Sequence, residues 1–158
     1  MPETPLPVDL SDDVRTFLDT LDDGKRAGSE VLIAAMQQAT GMPPALWSGD
    51  IVGFGAYRYR YESGRTGESC ALGFSPRARE FSLYLSCYLD GGFDTRQDLV
   101  QRLGKVRVGK GCLYLKDPAA ADPEALATLL RASLQSLATS PVVTSVTLGP
   151  GAQETVNV

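Results

Sequence analysis

Four cations stand beside residues that bend a backbone: Arg65, Arg77, Lys105 and Lys110. Three of them directly follow glycine, as Gly64-Arg65, Gly104-Lys105 and Gly109-Lys110. Glycine lets a backbone N–H approach an anion closely, and the adjacent cation supplies charge. Arginine adds a planar fork that matches phosphate or carboxylate. The set predicts a site for a small anion; the competing reading is turn glycines flanked by solvated cations. Residues 104–110 also spell G-x-x-x-x-G-K. Gly111 then stands where a nucleotide-binding loop needs Ser or Thr, and CLYL reads as a strand where that loop needs a helix, so nucleotide hydrolysis is rejected. Trp47, beside Pro43 and Pro44, is expected to anchor the junction of helix and sheet, or else to wall a pocket against Phe54.

A second group is acidic: Asp12, Asp13, Asp19, Asp22 and Asp23, with Asp9 just before them. Asp12, Asp19 and Asp23 fall on related turns of one helix, and carboxylates suit hard cations. A solvated acidic face is the alternative. Tyr57, Tyr59 and Tyr61 alternate with Arg58 and Arg60, which places the rings on one face of a strand. That pattern predicts a core face beneath helices; a nucleic-acid stacking platform is disfavoured by the acidic balance of the chain. Cys70, Cys87 and Cys112 lack C-x-x-C spacing and sit among apolar residues, as small buried hydrophobes do. The chain has no histidine, which excludes Ser-His-Asp, Cys-His and His-ligated zinc chemistry.

These residues need elements to hold them. Ser11 is a helix N-cap, followed by Asp12 and Asp13 and by Val14, Phe17, Leu18 and Leu21 at helical spacing, with Gly24 as the expected stop. A second helix is expected from about Ser29 to Thr40, ended by Gly41, Pro43 and Pro44. Strands are expected at residues 51–54, 57–61, 69–74, 81–88 and 111–115, with Ser75-Pro76 as a break. Asp94 or Thr95 is expected to cap a short helix carrying Leu99, Val100 and Leu103. Asp122-Pro123 starts the last helix, whose stripe is Leu126, Leu129, Leu130, Ser133, Leu134 and Leu137. Residues 142–148 then pair as an edge strand or dangle. Helices at both ends with strands between predict an α+β fold: an antiparallel β-sheet with N- and C-terminal helices packed on one face. Residues 1–10 read as a flexible lead-in, 11–138 as the domain and 139–158 as a tail.

Charge is segregated. Residues 1–56 hold 3 basic and 9 acidic side chains, residues 57–116 hold 11 and 6, and residues 117–158 hold 1 and 4. A basic middle between acidic ends marks either an anion-binding face or acidic helices packed beside a basic sheet. No apolar run reaches the roughly 20 residues of a membrane span, the N-terminal residues do not form a signal peptide, and an odd set of scattered cysteines suits a reducing compartment. A cytoplasmic location without membrane contact is expected.

Three blocks carry a resemblance: WSGDIVGFGAYRYRYESGR at 47–65, GFSPR at 73–77 and LGKVRVGKGCLYL at 103–115. In this order they resemble the YdhG-like domain family, over roughly residues 10–138. The family's role is largely unassigned. It is similar in fold to bacterial frataxin-like proteins, and one branch has been proposed as an iron chaperone. Ala78 stands where the family usually has Lys, Val106 where it often has His, and Leu46 where it usually has Met before Trp. The leading expectation is a non-catalytic binding module for a small anion or an acidic protein partner, at Arg65, Arg77, Lys105 and Lys110 with Trp47 and Phe54. No cofactor is needed for it. The resemblance implies an alternative, frataxin-like iron binding at Asp12, Asp19 and Asp23; an enzyme working without histidine comes third. A dimer through the tail is a further expectation.

Overall fold

The computed structural model describes residues 11–47, 50–85, 97–109 and 112–149. The elements run α1 (Asp12–Asp19), α2 (Asp23–Thr40), β1 (Ala45–Trp47), β2 (Ile51–Phe54), β3 (Ala56–Arg60), β4 (Thr66–Ser69), β5 (Leu72–Pro76), β6 (Phe81–Tyr84), α3 (Gln97–Gln101), β7 (Val106–Val108), β8 (Cys112–Leu115), a 3-10 turn (Pro118–Ala120), α4 (Pro123–Thr139) and β9 (Val143–Thr147). The expected lead-in at 1–10, the end of the 81–88 strand, the caps Asp94 and Thr95, Cys87 and Lys110 lie outside the described residues.

Local caps set the helices. Ser11 occupies the N-cap of α1, and Val14 and Leu18 are fully buried. Gly24 does not stop this helix. α1 ends at Asp19, and the Asp22 carboxylate accepts from the Lys25 N–H at 2.8 Å, so α2 begins at Asp23, earlier than about Ser29. A capped N-terminus outweighs the low helix propensity of one glycine in the first turn. Asp22 and Asp23 therefore sit at the positive end of a helix, where anions are stabilised. At α4 the Asp122 carboxylate accepts from the N–H groups of Glu124 and Ala125, with Pro123 in the first turn. Arg102 pairs with the same carboxylate at 2.7 Å and, as the main cause, holds it below its ordinary range.

Among the described residues every strand pairing is antiparallel. Six strands form one sheet in the order β1-β2-β5-β6-β8-β7, and three form a second in the order β4-β3-β9. The architecture is α+β. Alternation sorts the larger sheet into two faces. Val52, Phe54, Leu72, Phe74, Phe81, Leu83, Leu113 and Leu115 point to one side, none more than 3% exposed, and meet Leu32, Ile33 and Met36 of α2 and Leu126, Leu129, Leu130 and Leu134 of α4. Each such side chain contributes roughly 1.5–3 kcal/mol by leaving water.

Two features of the strands differ from expectation. The break falls at Cys70-Ala71, between β4 and β5, while Ser75 and Pro76 belong to β5. Arg77 N–H bonds to the Glu80 carbonyl at 2.9 Å, so by alternation the Pro76 nitrogen faces away from β6, past the end of β2. Its missing N–H costs the ladder nothing there. The tyrosines also do not lie beneath the helices. Gly55, at φ 65°, turns the chain out of the larger sheet, and β3 joins the smaller one. Only Tyr57 packs on the core; Tyr61 is 42% exposed. The three rings form a ladder with centroids 6.0 and 5.1 Å apart.

Residues 143–147 pair with β3 within the same chain, matching Ala56 to Thr147, Tyr57 to Val146 and Arg58 to Ser145, then shifting register at Tyr59 and Val143. Val146 and Leu148 are buried, and Gly149 N–H bonds to the Thr40 carbonyl at 2.8 Å, so the packed unit runs past residue 138. Among the described residues no helix is long and apolar enough to cross a membrane.

Candidate functional site

The side chains between the buried apolar positions define the other face of the larger sheet. Register places Trp47 opposite Ile51, Gly53 opposite Gly73, Gly73 opposite Tyr84, and Tyr84 opposite Cys112. In the adjoining row Ser75 faces Ser82, Ser82 faces Tyr114, and Tyr114 faces Arg107. The centre of this face is thus small and its flanks are aromatic. Gly53 is required for the arrangement: a Cβ there would lie 2.6 Å from Cδ1 of Trp47 and 2.7 Å from Cβ of Cys70. The indole lies directly over a bare backbone.

Arg77, two residues beyond Ser75 on the same face, is half exposed and spans the top of this region. Its Nη1 donates to Oδ2 of Asp50 at 3.1 Å and its Nη2 to the Tyr84 hydroxyl at 3.3 Å. The contact with Tyr84, ahead of the Asp50 charge, raises the guanidinium above its ordinary pKa, so it is charged at every physiological pH. Arg107 lies 4.0 Å above the Tyr114 ring and pairs with Glu80. Under these groups the Ser75 hydroxyl is fully buried and, like that of Ser29 on α2, has no hydrogen-bond partner among the described residues. A buried hydroxyl left unpaired costs about 1–3 kcal/mol.

The face has limited means for covalent chemistry. Burial pushes the Cys112 thiol up, with a Tyr114 hydrogen bond and the Arg77 charge only partly offsetting it. Burial likewise pushes Cys70 up. Both are thiols at neutral pH, and the thiolate is the nucleophilic form.

Of the sequence-derived set, the structure places Arg77 and Trp47 on this face. Phe54 is buried on the opposite face, against the helices, so it does not form a wall with Trp47. Arg65 is exposed in the turn between β3 and β4, where its carbonyl accepts from Tyr61 N–H and its own N–H reaches the Ser63 hydroxyl; all of β4 and β5 separates it from Arg77. Lys105 is exposed just before β7, three strands from β5, a lateral separation of about 14 Å. Of the G-x-x-x-x-G-K stretch, residues 104–109 are described: they contain β7, and Gly109 N–H bonds to the Cys112 carbonyl. Asp12, Asp19 and Asp23 are exposed, and Asp19 is held by Arg26 at 2.6 Å. Among the described residues no group of three or more His, Cys, Asp or Glu is placed to hold a metal ion. A separate groove of about 550 Å³ lies on the smaller sheet, lined by Arg58, Tyr59, Arg60, Thr66, Glu68 and Thr144 among others. There Arg58 is already paired with Glu68 at 3.1 Å.

Ser75, Tyr84, Tyr114 and Asp50 were not singled out from sequence. The signal was there as strict alternation, in LGFSPR and FSLY, of large apolar residues with Gly, Ser, Arg and Tyr. Comparison with protein-family models, with curated proteins and with solved structures returns no match.

Proposed function

We propose that this chain is a YdhG-like domain acting as a non-catalytic binding module, which holds a small anionic ligand on the face of its larger sheet turned away from α2 and α4. Arg77 is the charge partner and Ser75 the neutral donor. The unpartnered, fully buried Ser75 hydroxyl beside a half-exposed guanidinium is the observation that carries the proposal. A buried hydroxyl of this kind is an unmet interaction, and a ligand oxygen placed under Arg77 meets it. Two protonated thiols and a chain without histidine favour holding a ligand over transforming it. This site is narrower than the four-cation set, since Arg65 and Lys105 stand on other parts of the molecule.

A thermal-shift panel of small carboxylates, phosphorylated metabolites and divalent metals tests it. A ligand present at 100 times its dissociation constant stabilises the fold by about 2.7 kcal/mol. The expected result is a shift with anions that fades at high salt, disappears in Arg77→Met and persists in Arg65→Met. A shift that survives in Arg77→Met overturns the assignment, and a response to metals alone returns the acidic residues to consideration.

A further inference from the structure

We infer that the groove on the smaller sheet docks an extended acidic segment of a partner protein, whose carboxylates, two residues apart, are taken by Arg58 and Arg60. The inference rests on a different sheet from the Arg77 site and does not depend on it.

The groove has a volume of about 550 Å³ and lies among β3, β4 and β9. Alternation puts Arg58 and Arg60 on one face of β3, across from Glu68 and Thr66 of β4, and all four are exposed. The tyrosine ladder stands on the other face, where Gly67 leaves room for the Tyr59 ring. Tyr59 and Gly67 therefore line the groove through their backbone, and its walls are arginine, glutamate and threonine. On the β9 side the wall comes from an irregularity. Arg58 pairs with Ser145 and Tyr59 with Val143, which leaves Thr144 as an extra residue, and Thr144 is the part of β9 that lines the groove. Bulges of this kind re-aim side chains and are common next to active sites.

Charge identifies the occupant. Among the described residues Arg60 has no acidic partner. Its backbone is nonetheless fixed on both sides, by the pairing with Thr66 and by its N–H bond to the Val142 carbonyl at 2.7 Å. Arg58 is paired with Glu68 at 3.1 Å, but those side chains are 71% and 48% exposed, and pairs so open to water are weak. Glu62 and Arg65, at the tip of the hairpin, add one charge of each sign, so the hairpin keeps an excess of positive charge.

Shape favours an extended chain over a compact molecule. A small ligand commonly has about 70–90% of its surface buried in its site. A three-stranded sheet with exposed walls offers no such cover. Along β3 the two arginines spring from positions about 6.8 Å apart, which is the repeat of alternate side chains in any extended strand. A segment lying along β3 presents one carboxylate to Arg60 directly and the next to Arg58 in exchange for Glu68. The hydroxyls of Thr66 and Thr144 stand beside them as further donors.

The test is fluorescence anisotropy of a labelled SDVDVDS peptide with the full chain. SVDDDVS has the same composition with its carboxylates adjacent, and SNVNVNS has none. Wild type, Arg60→Met, Glu68→Gln and Arg77→Met are compared, each checked for its fold by circular dichroism. SDVDVDS is expected to bind wild type and Arg77→Met alike, more tightly than SVDDDVS, while SNVNVNS does not bind. Arg60→Met is expected to lose binding. Glu68→Gln is expected to bind about two- to fivefold more tightly, the factor set by release of an exposed ion pair. No binding to wild type at millimolar peptide overturns the inference, and so does binding that survives in Arg60→Met or is lost in Arg77→Met. Equal binding of SVDDDVS overturns the match of spacing. Unchanged or weaker binding in Glu68→Gln overturns the exchange at Arg58. Displacement of the peptide by an equal concentration of ribose 5-phosphate or of oligothymidylate overturns the class of partner.

Discussion

Phe74 and Ser75 are neighbours on one strand, both fully buried, and they belong to different worlds. Phe74 faces the helices with Val52 and Leu83 on either side. Ser75 faces the other way, opposite Ser82 and on the side of Arg77, and its hydroxyl has no hydrogen-bond partner among the described residues. Burial alone therefore does not separate core from site in this molecule. The distinction is whether the buried atom's interactions are already complete: a carbon side chain needs only contact, whereas a hydroxyl needs a directed partner.

Three substitutions sharpen or break this contrast. The largest effect belongs to the completed face. Phe74→Ala is expected to cost about 3–5 kcal/mol in urea denaturation, through lost transfer energy and the cavity left behind. A cost under about 1 kcal/mol would mean that the helices pack on this sheet less closely than described. An intermediate effect belongs to Gly53, where a methyl group meets Trp47 and Cys70. Gly53→Ala is expected to cost about 1–3 kcal/mol through overpacking, and to move the emission of the sole tryptophan as the indole is displaced. Unchanged emission would argue against the ring lying over that backbone. The smallest effect has the opposite sign. Ser75→Ala removes an unmet hydroxyl and is expected to stabilise the free protein by about 1 kcal/mol while weakening anion binding. Destabilisation by that substitution would mean that the hydroxyl is satisfied after all, and would remove the main support for the site.

The sequence disclosed what is local. Ser11 and Asp122 both occupy N-cap positions, and the hydrogen bonds of Asp122 close within three residues, so the starts of α1 and α4 are legible from local sequence alone. The start of α2 was misplaced because Asp22 reads equally as the end of one helix or the cap of the next, and only the Lys25 N–H decides. β1 and β7 are three residues long, too short for a period to show. The tyrosine pattern was visible, but its destination depends on one backbone angle at Gly55. The site was least legible. Arg77 stood out beside a turn-like Ser-Pro, yet its partners Asp50 and Tyr84 lie 27 residues before it and seven after it, on different sides of the strand that carries it. Register across three strands, β2, β5 and β6, brings them together, and register is a property of the whole sheet.

The pairing of β3 with β9 also sets a timetable. Tyr57 meets Val146 across a long stretch of intervening chain, so β9 is the last described element to leave the ribosome and the last that can take its place. Until then the β3–β4 hairpin must wait with one edge unpaired and its tyrosines exposed, a state prone to wrong partners. The step that completes the smaller sheet also requires closing a long loop, the kind of contact that slows folding. For the newborn chain, the period of greatest vulnerability is the interval between making β3 and making β9.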